Sequence, residues 1–259
     1  MIYDGFMFFN ELDILSILLH TLDPFVEKFI LVESTHTHSG RKKPLYFDEA
    51  RSENLFKKFE NKIIHVVVDE PPHPNRWVNE NLQRNAISRG LKNLHPEDII
   101  IISDVDEIIN PEVFPLIINA NSPGSLRQEL YYYYFNCFAG MWQGSVFCKA
   151  KSFTFPQDLR NRRNILQAIS NGGWHYSYFG SSKKIAQKLS SFAHSEYDTD
   201  FYRDEERISK CMNEGTDIFG KNRQSFTYVS PKVPKYINDN LDKFSKYIFR
   251  ETNFLSESG

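Results

Sequence analysis

Asp98-Ile-Ile-Ile-Ile-Ser-Asp104-Val-Asp106-Glu107 decides the reading of this chain. Four consecutive isoleucines are far short of the roughly 20 apolar residues that a membrane span needs. They are β-branched and apolar at every position, which predicts a strand covered on both faces. Two earlier stretches have the same character, Lys-Phe-Ile-Leu-Val-Glu at 28–33 and Lys-Ile-Ile-His-Val-Val-Val-Asp at 62–69. Leu12, Ile14, Leu15, Leu18, Leu19 and Leu22 recur at three- and four-residue spacing, an amphipathic helix with Asn10 placed as its N-cap. Between the second and third strands, Leu82, Ala86, Ile87, Leu91 and Leu94 form the stripe of a crossover helix over 77–94, with Trp77 covering its start. The repeated βαβ pattern predicts a mostly parallel sheet. Ligands of such sheets sit beyond the carboxyl ends of the strands, here at Glu33, Asp69 and Asp104.

The turn after the isoleucines therefore presents two aspartates, one residue apart, where a ligand is expected. Such a pair can share a hard divalent cation, which in turn holds the phosphate oxygens of a nucleotide. Between Lys92 and Arg127 there is no Lys or Arg, while Glu97, Asp98, Asp104, Asp106, Glu107 and Glu112 are all acidic. Clustered carboxylates are costly unless they are solvated or neutralised by a cation. An exposed acidic turn capping the next helix is the simpler alternative. Downstream, Lys149, Lys151, Arg160, Arg162, Arg163, Lys183, Lys184 and Lys188 face only Asp158 within their stretch, a balance suited to lie opposite a diphosphate.

The second half changes character. Glu-Leu-Tyr-Tyr-Tyr-Tyr-Phe-Asn-Cys-Phe at 129–138, with Trp142, Phe147, Phe153 and Phe155, predicts an antiparallel or mixed extension whose rings form either core or a wall on which sugars stack. A helix is expected over 236–250. No repeat or long linker separates two units, so 1–259 reads as one composite domain: a nucleotide-binding half, 1–110, and an acceptor-side half, 111–259. The chain has 31 Lys+Arg against 33 Asp+Glu and 41% hydrophobic residues, a globular balance whose net charge of −2 provides no bulk field for nucleic acid. Cys137, Cys148 and Cys211 lack CxxC spacing and are read as reduced core thiols. With no signal-like N-terminus, no membrane span and no Asn-x-Ser/Thr sequon, a cytoplasmic location is expected.

Five motifs in order carry a resemblance: Tyr3-Asp-Gly-Phe-Met-Phe-Phe-Asn-Glu-Leu-Asp13; Phe29-Ile-Leu-Val-Glu33 followed by Gly40-Arg-Lys-Lys-Pro-Leu-Tyr46; Asn79-Glu80 with Gln83-Arg84-Asn85; Ser103-Asp-Val-Asp-Glu107; and Gly172-Gly-Trp-His-Tyr-Ser-Tyr-Phe-Gly180. Together they resemble glycosyltransferase family 17, the family of the bisecting β-1,4-N-acetylglucosaminyltransferases, from Tyr3 to about Tyr197. The resemblance implies a GT-A type, Rossmann-like α/β fold and a UDP-N-acetylglucosamine donor. It also implies a glycan or glycoprotein acceptor, inversion at the anomeric carbon, and a divalent metal, manganese or else magnesium. Because the sequence starts almost at the first motif, it is expected to lack the membrane anchor and stem of the animal members.

On this reading Asp104 and Asp106 form the metal and diphosphate site, with Asp106 the direct ligand, Asp104 shared with ribose, Glu107 behind them and His175 either completing the metal shell or touching the diphosphate. Glu33, Asn10 and Glu11 would close the uracil and ribose pocket, and Arg84 would reach uracil or phosphate. Arg84 equally forms an i,i+4 pair with Glu80. Arg162 and Arg163 are the first choices to face the diphosphate, whose charge grows in the transition state. Inverting transfer needs a carboxylate base, and Glu196, Asp158, Glu129 and Asp198 are the candidates, Glu196 first. His194 is a weaker competitor to His175, and His36-Thr-His38 is read as a loop rather than a metal site. Three alternatives stand beside this reading: another UDP-hexose, a binding protein without activity, and a haloacid-dehalogenase-type phosphatase. The last wants Thr or Val where Ile108 stands.

Overall fold

The computed structural model describes residues 1–220 and 226–249. Four strands, β1 (Ile2–Met7), β2 (Lys28–Ser34), β3 (Ile63–Val68) and β4 (Ile99–Asp104), lie in the order β3-β2-β1-β4 and are mutually parallel. The isoleucine run explains why they stay together. Ile99 and Ile101 join the cluster beneath one face, and Ile100 and Ile102 join the cluster beneath the other, because successive side chains of a strand point to opposite faces.

Six further strands complete one ten-stranded sheet: β5 (Glu107–Ile109), β6 (Gly124–Tyr132), β7 (Cys137–Lys149), β8 (Gln167–Ile169), β9 (Gly173–Ser177) and β10 (Thr227–Tyr228). β7 runs antiparallel to β4 and carries the sheet onward through β6 and β9 to β5, so the expected mixed extension continues the parallel half without a break.

The helices that position the site are α1 (Leu12–Leu22), α2 (Tyr46–Ser52), α3 (Arg76–Asn85), α4 (Phe114–Ile118), α5 (Pro156–Asn161) and α6 (Ser182–Ser191). After them come α7 (Asp200–Arg203) and α8 (Glu205–Glu214), which close a third apolar cluster with α6.

Several local expectations change. The N-cap of α1 is Glu11, not Asn10, and its carboxylate turns back to accept from the N–H groups of Phe9 and Asn10. The crossover helix ends at Asn85 and gives way to a 3₁₀ turn over Ala86–Gly90. Its buried face carries Gln83 and Arg84, while Leu82 is exposed, because that face looks onto a polar cleft rather than onto core. Trp77 is also exposed and meets His194 edge-on, and Asn75 caps the helix by accepting from the Trp77 N–H. The C-terminal helix is instead two single turns, α9 (Lys235–Asn238) and α10 (Leu241–Phe244), followed by a 3₁₀ turn at Ser245–Tyr247; Arg250 lies outside the described residues. The tyrosine run is core: Tyr131 and Phe135 are buried with Tyr176 from β9 against them, and Tyr133 is buried in the third cluster beside Phe226. Cys137 and Cys148 are buried free thiols pushed up to about 12 by burial, and Cys211 is half-buried.

Candidate active site

β4 ends at Asp104, level with Met7 at the end of β1. The chain leaves β1 toward β2 on one side while β4 lies on the other, the arrangement that opens a crevice beyond the strand ends of an α/β sheet. A cavity of about 250 Å³ occupies that place, lined among others by Phe9, Glu11, His38, Arg84, Asp104, Asp106, His175 and Lys188.

The aspartates face this cavity with their charges held by cations from distant segments. Arg84 Nη2 is 3.1 Å from Asp104 Oδ1, and Arg160 Nη2 is 2.8 Å from Asp104 Oδ2. Lys188 Nζ is 3.0 Å from Asp106 Oδ2 and 3.4 Å from Glu11, and His175 Nε2 is 3.4 Å from Asp106 Oδ1. Burial alone would push both acids up. The opposed charges of Arg160 and Arg84 on Asp104, and of Lys188 and His175 on Asp106, win and hold both carboxyls well below the usual range. Both aspartates are therefore anions at neutral pH.

Glu107 sits behind them with no exposure, taking both Nη groups of Arg160, the indole N–H of Trp142 at 2.8 Å, the Ser145 hydroxyl at 3.1 Å and the Asp104 N–H at 3.2 Å. Gly144 makes this possible, since a Cβ there would stand 3.0 Å from Glu107 Oε1 and 1.9 Å from Gln128. His175 is carried in by β9. Gly173 has φ of +124°, and a Cβ on it would lie 2.0 Å from the Ile108 carbonyl oxygen, so only glycine lets β9 seat against β5 at this register. His175 Nδ1 has no hydrogen-bond partner among the described residues.

The acidic and basic stretches of the sequence prove to be partners. Lys149 and Lys151 pair with Glu97, Arg160 with Asp104 and Glu107, and Lys188 with Asp106. Arg162 is exposed and lines neither this cavity nor its neighbour, whereas Arg163 lies over the Trp142 ring, 4.8 Å from its centroid. Of that basic stretch, it is Arg160 and Lys188, not Arg162 and Arg163, that pair with the aspartates. The signal for Arg160 was its helix face: within α5 it is buried with Pro156 and Leu159, at the four-residue spacing of one face.

Other candidates fall elsewhere. Glu33 is buried away from the cavity, taking the N–H groups of Tyr46 at 2.6 Å and Phe47 at 3.2 Å and the Lys43 ammonium at 3.1 Å, so it fixes the N-terminus of α2. Asn10 bonds Gln187 beside the cleft. Glu129 accepts from the Tyr131 hydroxyl, Asp158 is exposed on α5, and Glu196 is 2.7 Å from His194; none of the three lines a cavity at the aspartates. Asp198 is enclosed by Arg41, Arg76 and Arg203. His38 faces the cavity and bonds Gln83 at 2.9 Å; burial lowers its pKa and keeps it neutral.

Asp104 and Asp106 supply hard oxygen donors, the type that a divalent cation prefers. No group of three or more His, Cys, Asp or Glu among the described residues is arranged to hold a metal. His175 reaches toward an aspartate oxygen rather than standing beside it. Each of the four oxygens of Asp104 and Asp106 already faces Arg84, Arg160, His175 or Lys188, so these aspartates do not close a metal site by themselves. A cation there would exchange for some of those contacts and take its other donors from a bound ligand.

An open α/β sheet with anionic aspartates and fixed cations around a crevice at its strand ends defines a small-molecule-binding α/β protein. The sequence profile of glycosyltransferase family 17 matches residues 1–247, and the chain belongs to that family. The β-1,4-mannosyl-glycoprotein 4-β-N-acetylglucosaminyltransferase of Rattus norvegicus is 26% identical over 299 residues, which cover 96% of this chain and 55% of that protein. The Homo sapiens protein of the same name is 27% identical over 281 residues, covering 91% and 52%. The chain thus spans about half the length of these relatives. Among solved structures, 4-diphosphocytidyl-2C-methyl-D-erythritol synthase superposes with a TM-score of 0.39 at 12% identity, over 66% of this chain and 89% of that one. The galactosyltransferase LgtC, in complex with donor and acceptor sugar analogues, superposes with a TM-score of 0.35 at 11% identity, over 79% and 81%. No helix among the described residues is long and apolar enough to cross a membrane.

Proposed function

We propose that this chain transfers N-acetylglucosamine from UDP-N-acetylglucosamine to a hydroxyl of a glycan or glycoprotein, inverting the anomeric carbon. The observation that carries the reading is the convergence of Asp104, Asp106, Arg84 and Lys188 on one crevice at the carboxyl ends of β1 and β4. Family membership and the names of the two curated relatives support the choice of sugar.

In this reading the diphosphate lies between Arg84 and Lys188, whose charges are fixed in place before the reaction by Asp104, Asp106 and Glu11. Such preorganised cations stabilise the negative charge that grows on the departing UDP without having to reorganise. A manganese or magnesium ion would be held by Asp106 and Asp104 and would supply further Lewis-acid charge at the diphosphate. Phe9, Tyr178 and Phe192 are among the residues of the remaining wall and give the donor ring apolar surface.

Incubation with UDP-N-acetylglucosamine, manganese and a β-1,4-mannosyl glycopeptide tests the reading by mass spectrometry. One added N-acetylhexosamine per glycopeptide, with release of UDP, is the expected product. Faster turnover of UDP-glucose or UDP-galactose would replace the donor, since pocket contacts separate such sugars by only about 1–3 kcal/mol. UDP binding with no release of UDP from any sugar would leave a nucleotide-sugar-binding protein.

A further inference from the structure

We infer that Glu80 is the general base of the transfer and that the acceptor sugar enters through a second cavity on its far side. The inference rests on the transfer reading and adds the acceptor half of the site.

The second cavity, of about 410 Å³, abuts the first, and the residues that line both are Glu80, Arg84 and Asp104. A hydroxyl that reaches a donor in the first cavity from the second must pass this wall. The far side suits a sugar: Trp77 is 44% exposed there, and Trp142, Gln157, Asn161 and Asn164 contribute rings and side-chain amides. Rings cover the apolar faces of pyranoses, and amides pair with their hydroxyls.

A base needs an ionised carboxylate with an oxygen that is not committed to a cation. The carboxylates lining the two cavities are Glu11, Glu80, Asp104 and Asp106. Asp104 gives Oδ1 to Arg84 and Oδ2 to Arg160, and Asp106 gives Oδ1 to His175 and Oδ2 to Lys188. Glu11 gives Oε2 to two backbone N–H groups, and its Oε1 stands 3.4 Å from Lys188. Glu80 differs. Its Oε1 accepts from Arg84 Nη1 at 2.9 Å, and Oε2 takes no hydrogen bond from the described residues. Its side chain is 19% exposed. The pair is the i,i+4 spacing of a helix surface, yet the Arg84 side chain is only 5% exposed and also grips Asp104, so one guanidinium holds Glu80 in fixed relation to the donor wall.

The acceptor oxygen bonds to the anomeric carbon of the donor sugar as that carbon's bond to the β-phosphate oxygen breaks. The bonding pair leaves with UDP, toward Arg84 and Lys188, and the hydroxyl proton passes to Glu80 Oε2. Charge and atoms balance without a further reactant.

Glu80→Gln keeps the size of the side chain and its bond to Arg84, and Glu80→Asp keeps the charge but withdraws it. UDP release from UDP-N-acetylglucosamine is measured for both and for wild type, with the β-1,4-mannosyl glycopeptide and with water alone, beside UDP affinity and Tm. The expected result is a kcat at least 100-fold lower in Glu80→Gln, within the 10²–10⁴ that such bases supply, with UDP affinity within threefold of wild type, Tm unchanged and Glu80→Asp intermediate. A Glu80→Gln kcat within threefold of an active wild type overturns the inference and leaves the transfer reading intact. Loss of UDP affinity or Tm in parallel with rate also overturns it, assigning Glu80 to holding Arg84. A wild type that binds UDP but releases none from the sugar removes the transfer reading, and the inference with it.

Discussion

Arg160 and Glu107 meet through two parallel bonds, Nη1 to Oε2 at 2.8 Å and Nη2 to Oε1 at 2.6 Å, with the arginine side chain 2% exposed and the glutamate side chain not exposed at all. Because Nη2 also reaches Asp104, this buried pair is the floor on which the candidate site stands. A fork of this kind fixes orientation as well as charge.

Removing one member of such a pair leaves the other charged and buried, at a cost of about 3–5 kcal/mol. Arg160→Met is therefore expected to lose that much stability in urea denaturation. Arg160→Met combined with Glu107→Gln should recover at least half, because the neutral amide no longer needs a counter-charge. A double variant no more stable than the single one would contradict the account.

Gly173 tests how closely β9 must approach. Its φ of +124° and the 2.0 Å that would separate an added Cβ from the Ile108 carbonyl oxygen both forbid a side chain. Gly173→Ala is expected to cost more than about 1 kcal/mol and to weaken UDP binding by displacing His175. An alanine variant with unchanged Tm and UDP affinity would show that the register tolerates movement.

Asp4 gives a pH signature. It lies wholly buried on β1, where burial lifts its carboxyl to about 7 from an ordinary 3.8; the Ser103 hydroxyl, donating at 2.7 Å, opposes the rise, and the charge of Glu107 adds to it. The folded state thus keeps a proton that the unfolded chain has released between pH 4 and pH 7. Where the folded state binds more protons, stability falls as pH rises, so the penalty grows across that window and is complete above it. Asp4→Asn should raise Tm over wild type at pH 8 and lose that advantage at pH 4. An equal difference at both values would mean that Asp4 does not carry the proton.

The parts of the molecule legible in sequence are those set by local pattern. The Ile99–Ile102 run could be read as a doubly covered strand because it is β-branched and apolar at every position, with no polar face left for solvent. Asp104 and Asp106 followed, since the carboxyl end of such a strand is where an α/β sheet opens. What sequence spacing did not contain was the identity of long-range partners. Lys188 finds Asp106 across 82 residues and Arg160 finds Glu107 across 53. Glu33 looked like a ligand residue because it ends a strand, but the N-terminus of α2 comes back to occupy it. The tyrosine run could be core or sugar wall on composition alone, and the meeting of β6 with β9 settled it as core while leaving Trp142 on a cavity. Glu80 was read as half of a helix-surface pair because spacing cannot show that its partner is buried.

The central claim is that Asp104 and Asp106 mark a nucleotide-sugar site, and calorimetric titration of UDP and UDP-N-acetylglucosamine into wild type and Asp106→Ala, with and without manganese, tests it most directly. The account predicts binding to wild type that tightens with manganese and falls at least tenfold in Asp106→Ala. No binding of either ligand to wild type, or equal binding to both proteins, would contradict it.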